Sequence, residues 1–216
     1  MATRNPPYDL DEAVAHLRGA DPRLGRAIDR VGSCGLGRGR STPFEALLRS
    51  IVFQQLAGAA ASTIHGRVLA LLPSKPPRPE HIPPLSDEAL RGAGLSRNKL
   101  AAIRDLAERA GRGEIPDRSR LARWSDDRVV ERLTEVRGVG RWTVEMLLIF
   151  ELGRPDVLPL DDLGVRKGFS RVFGGDLPEK DKLASRGERW RPYRSVASWY
   201  LWRACEWPTR KKRTTP

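Results

Sequence analysis

Apolar residues recur along this chain at helical spacing. Phe44, Leu47, Leu48, Ile51 and Val52 fall three and four apart, after a start of Thr42-Pro43-Phe44-Glu45. Threonine can cap, proline suits a first turn and Glu45 completes a capping box, so a core-facing helix is predicted from position 43. Residues 9–18 and 22–31 read as two shorter helices before it, and the glycine-rich SCGLGRGR of residues 33–40 as a linker. That run follows no strand and lacks the Gly-Lys-Ser/Thr of a phosphate loop. The helix from 43 ends in Gln54-Gln55-Leu56-Ala57-Gly58, and a second follows to Leu72. Six prolines in residues 73–84 predict a stiff, extended connection. Ser86 and Ser96 each start a helix, the latter with Leu100, Ile103, Leu106 and Ala110 inward. Ser125-Asp126-Asp127 caps another, whose buried stripe is Val129, Val130 and Leu133. No stretch alternates convincingly with period two, so the expected fold class is all-α.

The stretch LTEVRGVGRWTVEMLLIFELGRPDVLPLDDLGVRKG, residues 133–168, organises the rest. A tight turn, Arg137-Gly138-Val139-Gly140, joins one helical pattern to the next. The second pattern, from Arg141 to Leu152, is apolar on nearly every side, through Val144, Met146, Leu147, Leu148, Ile149, Phe150 and Leu152, and reads as buried. Gly153 and Pro155 stop it, and a short loop then delivers Asp161 and Asp162 beside Arg166 and Lys167. Glycines at 138 and 140 allow positive φ and leave no Cβ in a ligand's way. The N–H groups of Gly140, Arg141 and Trp142 would leave a helix N-terminus, which suits a phosphate. The same turn reads equally as a plain helix corner with glycine at a C-cap. Near the end, residues 190–207 hold four of the six tryptophans, and Trp199 and Trp202 share a helix face.

Charge adds a partner class. Lys plus Arg number 39 against 27 Asp plus Glu, a net charge of +12 over 216 residues, which favours a polyanion. Two cysteines, Cys34 and Cys205, form neither a ligand cluster nor a disulfide framework. No apolar run approaches membrane length and the start carries no signal core, so an intracellular protein of the cytoplasm or nucleoid, with no membrane partner, is expected. The ends, residues 1–7 and 209–216, read as loose, and the RKKR near the end as a solvated charged tail.

The run V-R-G-V-G-R-W-T, followed some twenty residues later by L-P-L-D-D-L-G-V-R-K-G, resembles the helix-hairpin-helix DNA glycosylase superfamily. Within it, the chain resembles the 3-methyladenine DNA glycosylase II branch, from about Thr42 to Trp207. The resemblance implies two helical lobes with an active-site cleft between them. Residues 41–153 would form a helical barrel ending in the hairpin (about 125–152), and residues 1–40 with 154–216 a second, discontinuous lobe. It further implies double-stranded DNA containing damaged bases as the partner of a monomeric enzyme. Gly138, Gly140, Arg141 and Thr143 are then hairpin contacts to DNA, and Gln55 or Leu56 fills the gap left by an extruded base. Leu56 reads equally well as a core residue. The catalytic carboxylate falls on Asp162, while Asp161 is the better placed of the two to cap the following helix. Pocket aromatics fall on Trp142 and on Trp202, seven residues past the RWRPYRS segment, with Met146 one turn beyond Trp142.

The departures are as informative. Members that also cut the strand carry a lysine in the hairpin helix, where this chain has Trp142, so a monofunctional enzyme without lyase activity is expected. Cys205 alone cannot build the four-cysteine iron–sulfur cluster of other members. No cofactor is expected, apart from a monovalent cation that the family can hold on hairpin carbonyls, here those of Thr134, Val136 and Val139. The function implied is hydrolysis of the N-glycosidic bond of alkylated bases of the 3-methyladenine and 7-methylguanine type. Glycosylases for deaminated or mismatched bases, and a non-catalytic hairpin protein that only binds DNA, are the alternatives.

Overall fold

The structure is a computed structural model that describes residues 4–207; the RKKR tail and the outermost residues lie outside the described residues. It is helical throughout. The helices are α1 (Leu10–Ala20), α2 (Pro22–Val31), α3 (Pro43–Phe53), α4 (Gly58–Ala70), α5 (Asp87–Gly92), α6 (Arg97–Gly111), α7 (Arg118–Ala122), α8 (Asp126–Leu133), α9 (Arg141–Leu147), α10 (Leu163–Phe173), α11 (Lys180–Gly187) and α12 (Arg194–Cys205). α9 runs on into one π turn, Leu148–Leu152. The described residues form two compact units, Gly39–Leu152 and residues 4–38 with 153–207.

In Gly39–Leu152, α3 starts as its sequence predicts. Thr42 Oγ1 accepts from Glu45 N at 3.2 Å, and the Glu45 carboxylate accepts from Thr42 N at 3.4 Å. Its apolar face (Leu47, Leu48, Ile51, Val52) is fully buried, as are Ile103 and Leu106 on α6, which packs against it. The proline-rich connection is more than an extended spacer. It makes a 3₁₀ turn at Pro79–His81 and buries Ile82 completely. Arg104 of α6 grips it, donating to the carbonyls of Ile82 at 2.8 Å and Leu85. A guanidinium, with five donors in a fixed fork, can satisfy several carbonyls that an irregular segment leaves unpaired.

In the other unit, α10 and α12 make the main helix pair. A Cβ on Gly168 would lie 1.9 Å from the Leu201 carbonyl oxygen, so only glycine lets the two backbones meet there. Asp21 ties the N-terminal helices to the C-terminal ones. Its carboxylate caps α2 through Arg23 N and Leu24 N. It also accepts two bonds from Arg186 at 2.8 Å and one from Trp190 Nε1 at 3.1 Å. The start of the described chain is not loose. Arg4 and Arg38 exchange two backbone hydrogen bonds of 2.9 Å, and Pro6 is buried.

Candidate functional site

The glycine turn lies in Gly39–Leu152 and is a helix hairpin. Ser125 caps α8, accepting from Arg128 N at 3.3 Å, with Asp126 and Asp127 in the first turn. Val129, Val130 and Leu133 are buried beneath it, and so are Val136 and Val139 in the turn. The two glycines differ, against the expectation that both exploit positive φ. Gly138 has φ +75° and needs glycine for its backbone, whereas Gly140 is extended at φ −95° and caps α9. A Cβ on Gly140 would meet nothing within 4 Å. Nothing in the fold therefore demands glycine at 140; what its absent side chain leaves open is the approach to the N-terminus of α9. That end offers backbone donors and the positive end of the helix dipole to an anion.

Around that end the side chains sort themselves. Arg141 is exposed and its guanidinium lies 3.1 Å from Glu145 and 3.8 Å from Asp127. Thr143, expected beside it as a contact, is buried at 4% exposure. Trp142 is 45% exposed and Phe150 38%, so the second hairpin helix is not buried all round as its composition suggests. Trp142 and Met146, four apart, share a face of α9. Met146 is half-buried.

Between α3 and α4, Gln55 stands at φ +56°, in the left-handed region that non-glycine residues rarely enter. Leu56 beside it is 39% exposed and is not a core residue.

The carboxylates lie in the other unit. Asp161 is exposed and pairs with Lys180, and it does not cap α10 as its position suggested. Asp162 does: its Oδ1 accepts from Val165 N at 2.8 Å. The same oxygen accepts from Trp202 Nε1 at 2.8 Å. Asp162 is 8% exposed, so a carboxylate is held in a fixed direction where little water screens it. Glycine again allows the approach, since a Cβ on Gly164 would lie 2.8 Å from the Trp202 ring and 3.0 Å from Asp162 Oδ1. Trp202 thus meets the carboxylate with its ring edge.

The loop that carries Asp162 is fastened by residues to which the sequence reading gave no role. Asp156 accepts from Arg194 Nε and Arg191 at 2.6 Å each. Ser195 Oγ accepts from Val157 N at 2.9 Å, and Ser195 N donates to Pro155 O at 2.9 Å. The available signal was the arginine pair flanking Pro192 and Tyr193, ahead of the helix that bears Trp202.

An all-α chain with a glycine-turned hairpin, and with a buried, doubly bonded aspartate some two dozen residues downstream, is a helix-hairpin-helix protein by construction. The family described as HhH-GPD superfamily base excision DNA repair protein matches residues 48–192. DNA-3-methyladenine glycosylase 1 of Schizosaccharomyces pombe is 37% identical over 198 residues, 90% of this chain and 87% of that protein. The solved S. pombe 3-methyladenine DNA glycosylase in complex with abasic DNA is similar at a TM-score of 0.80, covering 89% of this chain and 95% of that one. DNA-3-methyladenine glycosidase of Bacillus halodurans is similar at 0.83 with 37% identity, over 95% and 93% of the two chains. The chain belongs to the HhH-GPD superfamily of base excision DNA repair proteins.

Proposed function

We propose that this protein is a monofunctional DNA glycosylase of base excision repair that removes alkylated bases of the 3-methyladenine and 7-methylguanine type. The observation that carries the reading is Asp162, whose Oδ1 is held at 2.8 Å by both Val165 N and Trp202 Nε1. Membership of the repair family and relatives that bear the 3-methyladenine glycosylase name support the substrate class.

A base inside a duplex is out of reach, so the target is extruded. The N-terminus of α9, opened by Gly140, takes a backbone phosphate. The exposed Gln55-Leu56 tip fills the space in the stack. As the glycosidic bond breaks, positive charge builds on the sugar. Asp162 supplies a fixed negative charge beside it and orients or deprotonates the attacking water. A base alkylated on a ring nitrogen is cationic and leaves without much acid assistance. It is drawn to aromatic faces, worth roughly 0.5–2 kcal/mol per contact. Trp142 offers such a face, with Met146 beside it. Trp202, bonded to Asp162 through its Nε1, acts chiefly on the carboxylate.

No amine stands in the hairpin helix where a Schiff base would form, since Trp142 occupies that position. Hairpin carbonyls remain the place for a monovalent cation, which would neutralise a nearby phosphate. Val136 O accepts from Val139 N at 3.0 Å and keeps its second lone pair.

Duplexes bearing single defined lesions test this. Release of 3-methyladenine and 7-methylguanine as free bases is expected. Release only of deaminated or mismatched bases would refute the substrate class, and borohydride trapping of a protein–DNA adduct would refute the monofunctional assignment.

A further inference from the structure

Two DNA-facing loops of Gly39–Leu152 are bound to each other, and the linking residue is in neither the hairpin nor the exposed tip. Gln54, the residue before that tip, donates from Nε2 to the Gly138 carbonyl at 2.8 Å. Gly138 is the hairpin residue that requires positive φ, at +75°. Its carbonyl direction is therefore set by backbone geometry that only glycine adopts readily.

A single face of α6 holds both loops from behind. Lys99 Nζ donates to the Val52 carbonyl at 2.7 Å, at the end of α3 just before the tip. Partial burial of that amine lowers its pKa. The Ala102 methyl lies 3.4 Å from where a Cβ on Gly138 would be. Asp105 Oδ2 accepts from Arg137 N at 2.8 Å, inside the hairpin turn, and Arg109 holds that carboxylate at 3.1 Å. Residues 99, 102 and 105 are three apart and share a stripe of the helix. α6 sets where each loop stands, and Gln54 closes the third side by joining them directly.

We infer that Gln54 is a positioning residue for base extrusion: through the Gly138 carbonyl it locks the Gln55-Leu56 tip to the phosphate-binding hairpin, so that seating the hairpin on the backbone fixes how deep the tip enters the stack. The tip needs such a lock. Gln55 occupies a backbone conformation that costs free energy and persists only where its surroundings impose it. An unlinked tip would relax, and the hairpin would then grip DNA without aiming anything into it. This inference rests on the glycosylase reading above.

The test uses the full chain with Gln54→Ala and with Gln54→Met, which keeps the side chain's length and removes the donor without adding charge. Affinity is measured for an undamaged duplex and for the same duplex with one tetrahydrofuran abasic analogue. Single-turnover base release from a methylated duplex is measured alongside. Both variants should melt like wild type and bind undamaged DNA as wild type does. Both should lose about fivefold to tenfold in preference for the abasic duplex and in the single-turnover rate at saturating enzyme, the scale of one hydrogen bond. Variants that match wild type on both duplexes would overturn the inference, as would variants that lose affinity for both equally. The abasic arm needs no chemistry. Wild type that prefers the abasic duplex yet releases no methylated base would sink the substrate reading and leave this one standing.

Discussion

Asp162 carries two jobs on one oxygen. It caps α10 and receives the Trp202 indole, both at 2.8 Å. The sequence singled out this aspartate only through its motif, and it assigned the cap to Asp161, which instead pairs with Lys180. Two adjacent acids before a helix are interchangeable on paper; the difference is which carboxyl turns inward, and Gly164 decides that by leaving room for Trp202. The same contact gives Trp202 a second reading beside that of a pocket aromatic, as a residue that aims the carboxylate. Trp202→Phe keeps a ring and removes the donor. It should lower the single-turnover rate about tenfold, the scale of one charge-assisted hydrogen bond, with affinity for damaged DNA unchanged. A fall in affinity with an unchanged rate would instead mean that the ring stacks on the base.

At the scale of elements, helix starts were the most legible feature. Thr42, Ser86, Ser96 and Ser125 each cap a helix as their spacing predicts. Hairpin composition misled in one respect: Trp142 and Phe150 are exposed in a helix that looks apolar all round. Periodicity cannot separate a core residue from an apolar one kept at the surface for a ligand. Long-range anchors left no local signal either. Asp21 pairs with Arg186 across 165 residues of sequence. Burial pushes its pKa up, but the donors from Arg186 and Trp190 outweigh it and hold the carboxyl below its usual range. A depressed native pKa stabilises fully above the unfolded value of about 3.9, and that stabilisation is lost as pH falls through the native pKa. Asp21→Asn should therefore destabilise by about 3 kcal/mol at pH 7, as removing one partner of a buried pair does. Its stability should also fall less on acidification below about pH 4 than that of wild type. Thermal melts across pH check both; equal acid sensitivity in the two proteins would show that this contact is not the anchor.

For the whole molecule, the sequence made the all-α class and the nucleic-acid partner legible, since +12 and a run of helical periods need no tertiary information. Much of that charge is solvent-facing arginine, so binding to undamaged duplex should weaken at least tenfold between roughly 50 and 200 mM salt. Flat salt dependence in a filter-binding or anisotropy titration would mean that few phosphates are engaged. Among the described residues no helix is long and apolar enough to cross a membrane. The central claim is that one carboxylate drives base excision, and base release from methylated genomic DNA by wild type and Asp162→Asn tests it most directly. Asparagine can still cap α10 and accept from Trp202, so the variant removes charge and little else. Wild type should release methylpurines, while Asp162→Asn should bind DNA normally and lose release by about 10² or more, the scale of one electrostatic partner in a transition state. Near-normal release by the variant would contradict the account.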